Sequence, residues 1–226
     1  MNPAWIAWGA ALLPLLAVHT AYWLSADAGY VPWCLPYLDG CTSISRAARH
    51  GLPNLLFKGL MLPYAAWLAA TWALVFVWLR LLRPQAPRRT CTVLILGIVA
   101  AIFLVLYATF LGAEGPAYQW LRRYGITVYF SFTVLAQMFV SALLWPLATV
   151  PRALRRAMAC LCALLLLLGL ASLPLQHYAH DADAAIDALE WTYALLMIAF
   201  FPLVALAWQR TGFRLRGEIV RKAASR

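Results

Sequence analysis

Charged residues are scarce in this chain. Asp, Glu, Lys and Arg make up only 12% of its 226 residues, and just eight of these are acidic. Soluble domains carry about a quarter charged residues, so an ordinary globular domain is excluded and a disordered chain even more so. Cysteine is sparse, five in all, which excludes a small secreted scaffold stapled by disulfides. The 12 glycines and 13 prolines follow no collagen-like period. Apolar residues are what the chain has in excess: they make up 65% of it, and the mean hydropathy is +0.77. A membrane-embedded protein fits these figures. Six spans of roughly 20 residues would leave only short connections, with no room for a separate soluble domain.

Six apolar stretches stand out between charged or turn residues: Ala4–Leu24, Leu56–Leu79, Cys91–Ala113, Tyr124–Val150, Ala157–Leu175 and Trp191–Gln209. Each is long enough to cross a hydrocarbon core of about 30 Å as a helix. The alternation expected of a barrel strand is absent, and an open sheet edge cannot satisfy its backbone in lipid. The expected fold is therefore all-α, a bundle of six transmembrane helices over residues 1–210, followed by a basic tail at 211–226. Pro63, Pro146 and Pro202 fall inside spans or near their ends, where kinks are tolerated. The opening Met1-Asn2-Pro3 has no basic residue, and no small-x-small cleavage site precedes Ser25. The first stretch thus reads as a retained anchor rather than a secretory signal.

Basic residues set the expected orientation. Arg80, Arg83, Arg88, Arg89, Arg152, Arg155, Arg156, Arg210, Arg214, Arg216, Arg221, Lys222 and Arg226 fall on one side, and Arg46, Arg49, Lys58, Arg122 and Arg123 on the other. The richer side is cytoplasmic by the positive-inside rule, which puts both termini there. Acids partition oppositely, with only Glu218 on the cytoplasmic side. The net charge of +10 is spread over three cytoplasmic segments without a nucleic-acid module, so no nucleic-acid partner is expected. Membrane lipids are the expected partners. The tail can attract anionic headgroups at about 1 kcal/mol per basic residue near the surface. The sequence names no protein partner.

Topology also sorts the cysteines. Cys91, Cys160 and Cys162 start spans from the cytoplasmic side and are expected to stay reduced. Cys34 and Cys41 share the first outer loop, where a short disulfide could pin a turn containing Pro36 and Gly40. A quinone-linked thiol oxidoreductase would need a second external pair, and none exists. Metal binding by these two cysteines lacks the CxxC spacing.

Two outer segments carry the remaining chemistry. In residues 42–53 a short helix, capped by Ser or Thr and ended by Gly51 and Pro53, would place Arg46, Arg49 and His50 on one face. In residues 176–191, His180, Asp183, Asp187 and Glu190 are spaced 3, 4 and 3, forming one helical stripe that His177 extends by a turn. An ionisable group at the depth of Glu190 marks a functional site by default unless it is paired. Three readings stand side by side. The acids can pair with Arg46, Arg49, Lys58, Arg122 or Arg123 and simply tie the loops together. Those basic residues can instead hold a lipid phosphate while Asp and Glu accept hydrogen bonds from headgroup hydroxyls. Or His50, His177 or His180 can act as a general base, oriented by Asp183 or Asp187, on an ester at the interface. Metal ligation by His177, His180 and an acid is a variant that lacks the HExxH spacing, and Ser43 and Ser45 lack a GxSxG setting. His19 and Gln137 read as interhelical hydrogen-bonding residues. No cofactor or resident metal is expected.

The span layout, the first-loop run Pro36-Tyr37-Leu38-Asp39-Gly40 and the Glu190-Trp191 opening of the last span resemble the Frag/DRAM/Sfk membrane family. That family includes the GPI-anchor lipid-remodelling factor. The resemblance implies a lipid-linked role at the non-cytoplasmic face, with Glu190 as the better-matched position. The Ala-, Leu- and Arg-heavy composition looks like that of a GC-rich bacterium, which makes the expected location an inner membrane. A non-enzymatic scaffold or regulator with a purely structural stripe is the alternative.

Overall fold

A computed structural model describes residues 2–178 and 183–215, with backbone alone at 173–178. Among the described residues the fold is all-α: α1 (Ala4–Asp27), α2 (Pro36–Asp39), α3 (Ile44–Ala47), α4 (Gly51–Leu82), α5 (Pro87–Phe110), α6 (Pro116–Leu144), α7 (Arg152–Tyr178), α8 (Asp183–Ile198) and α9 (Phe200–Arg210). Six helical stretches are long and apolar enough to cross a membrane, the sixth being α8 and α9 together. The chain is a six-span membrane bundle. Each span packs on the next, and α9 closes the ring against α1.

Small residues let the spans approach closely. Ala4, Ala7, Ala10, Ala11, Ala17 and Ala21 are buried on α1, which packs on α4 and α9. Gly97 of α5 lies against the Trp72 ring of α4, and Gly125 of α6 against the Tyr107 backbone of α5. Lipid chains are as apolar as leucine, so this close contact, rather than exclusion of water, provides the attraction between spans.

Breaks in the helical ladders are met by side chains from neighbouring spans. Pro14 lies inside α1 and has no N–H to offer the Ala10 carbonyl. The Tyr64 hydroxyl donates to that carbonyl at 2.9 Å. The sixth span is interrupted at Ala199, between α8 and α9, three residues before Pro202. Gln137 of α6 donates its Nε2 to the Met197 carbonyl at 2.8 Å beside this break. It therefore joins two spans, as its position in an apolar stretch led one to expect.

Several boundaries differ from the sequence reading. Gly51 does not end a loop helix. It adopts φ +54° and begins α4, which continues to Leu82 with Pro53 in its first turn. Proline is compatible with that turn, where backbone N–H groups have no intrahelical partner anyway. The preceding helix α3 is only four residues long, so Arg46, Arg49 and His50 do not share one helical face. Arg49 and His50 follow the helix, and His50 is the N-cap residue of α4. The fourth span runs from Pro116 to Leu144 and not to Val150: Trp145 keeps helical backbone, but Pro146 has no N–H to continue the ladder. The packed domain also extends past residue 210. Thr211 accepts a hydrogen bond from the Trp78 indole at 3.0 Å, and Phe213 is buried against Trp208. Residues 216–226 of the expected basic tail lie outside the described residues.

Candidate functional site

The connection between α1 and α4 folds into a platform across one end of the bundle. Cys34 and Cys41 are joined by a disulfide, with their Cα atoms 6.5 Å apart, so the bridge the sequence allowed is formed. Between them lies α2, which starts at Pro36 and is closed by Gly40 at φ +56°. A Cβ on Gly40 would collide with the Ala184 carbonyl of α8, so glycine is required both by its backbone angle and by the close approach of α2 to α8. Asp39 turns its carboxylate back to the Leu35 N–H at 2.7 Å. From below, the Tyr22 hydroxyl donates to the Cys34 carbonyl at 2.7 Å and accepts from the Cys34 N–H at 2.8 Å.

The second half of the platform is tied to three spans. Ser43 caps α3 by accepting from the Arg46 N–H at 3.1 Å. The Ser45 and Tyr107 hydroxyls share a hydrogen bond of 2.9 Å, linking α3 to α5. Asn54 of α4 donates to the Ala48 carbonyl at 2.8 Å and the Leu111 carbonyl at 3.1 Å. The Trp191 indole of α8 donates to the Thr42 carbonyl at 2.8 Å. Glu190, one residue earlier, turns its carboxylate toward the backbone N–H groups of Ile44 and Ser45. A turn above, Asp187 is buried and pairs with Arg46 at 3.2 Å, whose side chain is half exposed.

Beneath the platform lies a narrow cleft with about 530 Å³ of space between its lining atoms, its open mouth included. Its walls are Phe57 and Met61 of α4, Leu104 of α5, Phe130 of α6, Leu195 of α8 and further apolar side chains. The polar groups in the lining are those of His19, Tyr37, Tyr107, Tyr129 and Glu190. His19 is fixed from both sides: Nδ1 meets the Leu15 carbonyl at 2.8 Å and Nε2 meets the Tyr37 hydroxyl at 2.9 Å. A carbonyl only accepts, so Nδ1 carries a proton, and in the neutral ring Nε2 accepts from Tyr37. Burial raises the Tyr37 phenol above its ordinary pKa, which keeps it a donor. Trp191 packs edge-on against His19, Tyr22 and Tyr37. Apolar walls with a few fixed polar groups are the usual make-up of a small-molecule or lipid site.

Arginines gather on the same side. Arg49 follows α3, and its backbone is pressed against the α5–α6 connection, where a Cβ on Gly112 would meet the Arg49 carbonyl at 2.6 Å. Burial, then the charges of Arg122 and Arg46, lower its pKa from the ordinary arginine value, although a guanidinium stays protonated in any case. Its Nε is buried and makes no hydrogen bond. Arg49 and Arg122 both act electrostatically on Tyr107, and Arg46 acts on Glu190.

The structure thus brings Arg46, Arg49, Arg122, Asp187 and Glu190 together. Arg46–Asp187 is the one ion pair among the described residues. Asp183 begins α8 exposed to solvent, and its charge acts on Asp187. Arg123 is exposed, and Lys58, two turns into α4, enters no ion pair among the described residues. His50 is exposed, its ring 5.7 Å from that of Tyr30, and it does not line the cleft. His180 and the His177 side chain lie outside the described residues. No three His, Cys, Asp or Glu side chains among the described residues converge as a metal-ligand set. Sequence reasoning missed Tyr37 and Tyr107 as site residues, set Ser45 aside for want of a GxSxG setting, and took His19 for an interhelical hydrogen-bonding residue. A tyrosine in an apolar span carries no signal that distinguishes a cleft wall from ordinary packing.

No family model, curated protein or solved structure matches this chain.

Proposed function

We propose that this multi-pass membrane protein engages a lipid headgroup or lipid-linked substrate at its non-cytoplasmic face, in an inner membrane. The observation that carries the reading is the cleft. Apolar side chains that suit a hydrocarbon chain meet His19, Tyr37, Tyr107 and Glu190 at one end of the bundle, and Arg46, Arg49 and Arg122 gather beside them. The distribution of basic residues assigns this end to the outside, and a disulfide in the platform suits an oxidising compartment. The resemblance of Pro36–Gly40 and Glu190-Trp191 to the Frag/DRAM/Sfk family points to the same lipid-linked role, with remodelling as one form of it.

A second reading has its own support. Asp187 is paired, and Glu190 and Trp191 are tied to the backbone of the first loop. These contacts suit a scaffold or regulator whose polar stripe is structural. Native mass spectrometry of the purified full chain, with lipid analysis of the adducts, separates the two. A stoichiometric lipid that is lost in Leu195→Trp, a variant that fills the cleft wall, supports the site. Absence of any retained lipid from the folded wild type refutes it.

A further inference from the structure

The arginine cluster narrows the class of ligand. Asp187 neutralises Arg46, and Glu190 is directed at the Ile44 and Ser45 amides. Among the described residues no carboxylate pairs with Arg49 or Arg122. The charges of these two arginines act on each other, and Arg49 has a buried, unpartnered Nε. Holding cations together in this way is unfavourable until an anion joins them. Their placement matches the cleft. Arg122 lies four residues before Ile126, a wall residue on the same face of α6, and seven before Tyr129, another. Asn54, bridging the Ala48 and Leu111 carbonyls, fixes the chain on which Arg49 sits.

We infer that the ligand is a net-anionic phosphate amphiphile, its phosphate held by Arg49 and Arg122 and one hydrocarbon chain lying in the cleft between α4, α5, α6 and α8. This rests on the lipid-site reading above and adds the charge of the head and the number of chains. Phosphate suits the cluster because its several oxygens can accept from two guanidinium forks at once. A single chain suits the cleft because it is narrow and walled on several sides by the bulky side chains Phe57, Met61, Tyr129 and Phe130. An ammonium-bearing zwitterion is disfavoured, since Asp187 and Glu190, the acids turned toward the platform, are already engaged.

The test uses the full-length protein in a neutral detergent, titrated by native mass spectrometry with three probes. These are lysophosphatidylglycerol, lysophosphatidylcholine and glycerol 3-phosphate. The anionic single-chain lipid is expected to bind about tenfold more tightly than the zwitterionic one, as for a charge-assisted contact of modest strength. Glycerol 3-phosphate should not displace it. Arg49→Gln and Arg122→Gln should each reduce the preference, while Leu195→Trp should weaken both lipids equally and leave their ratio unchanged. Equal binding of both lipids by the wild type overturns the inference but leaves a lipid site standing. Displacement by glycerol 3-phosphate at equal concentration overturns the amphiphile in favour of a soluble phosphate. Binding of none of the probes overturns this inference and the lipid-site reading together.

Discussion

The Arg46–Asp187 pair has an asymmetry that mutation should expose. The two side chains meet at 3.2 Å, but the Arg46 side chain is 49% exposed and that of Asp187 only 9%. Removing the acid leaves a guanidinium that water can solvate. Removing the arginine leaves a largely buried carboxylate on which the like charges of Asp183 and Glu190 act. Breaking a fully buried pair costs about 3–5 kcal/mol, whereas exposed pairs contribute about 0–1 kcal/mol. This half-exposed pair falls between. Asp187→Asn should destabilise the fold by about 1 kcal/mol, and Arg46→Gln by about 2–3 kcal/mol, because the desolvated carboxylate then lacks its partner. Arg46→Gln with Asp187→Asn should recover about 1–2 kcal/mol of that loss, as contacting residues do in a double-mutant cycle. Reversible unfolding of the full chain in detergent, followed by the near-ultraviolet signal of its 11 tryptophans, measures all three variants. Equal costs for the single variants, or a larger cost for Asp187→Asn, would refute the assignment of Asp187 as the desolvated partner. The same variants bear on function. If Asp187→Asn abolishes lipid retention at nearly unchanged stability, the acid belongs to the site and not only to its frame.

Two further outcomes follow from local geometry. Gly40→Ala should lower stability by more than the roughly 1 kcal/mol of a left-handed alanine, since its Cβ must also push α2 from the Ala184 carbonyl. Protease cleavage within 32–41 should rise, and unchanged cleavage would contradict the close packing. Tyr64→Phe should cost about 1 kcal/mol by leaving the Ala10 carbonyl, freed by Pro14, without a donor. In a Pro14→Ala background, where the backbone N–H returns, the same change should be nearly neutral, and an undiminished cost would sink the proposed compensation.

How much of this was legible in the sequence depended on the range of the interaction involved. Span number and helical class follow from composition and run length, which are local properties, and both are borne out. The first loop was harder. The Arg46, Arg49, His50 spacing fits one helical face, but Ser43 caps a helix that ends at Ala47, and the Asn54 contacts to Ala48 and Leu111 hold the chain beyond it in another path. Those contacts join residues up to 57 positions apart, and periodicity carries no trace of them. Of the expected stripe, Asp187 and Glu190 both turn toward the platform, Asp183 is exposed, and His180 and the His177 side chain lie outside the described residues. Which arginine each acid would meet was not legible, since that depends on how a four-residue helix is seated on α5 and α8. His19 illustrates the same limit from within a span. Its four-residue step back to Leu15 is visible in the sequence, but its second partner, Tyr37, reaches it only because the loop bridged by Cys34 and Cys41 folds back over the end of α1. Four of the polar cleft residues, His19, Tyr37, Tyr107 and Glu190, are therefore held together through the platform.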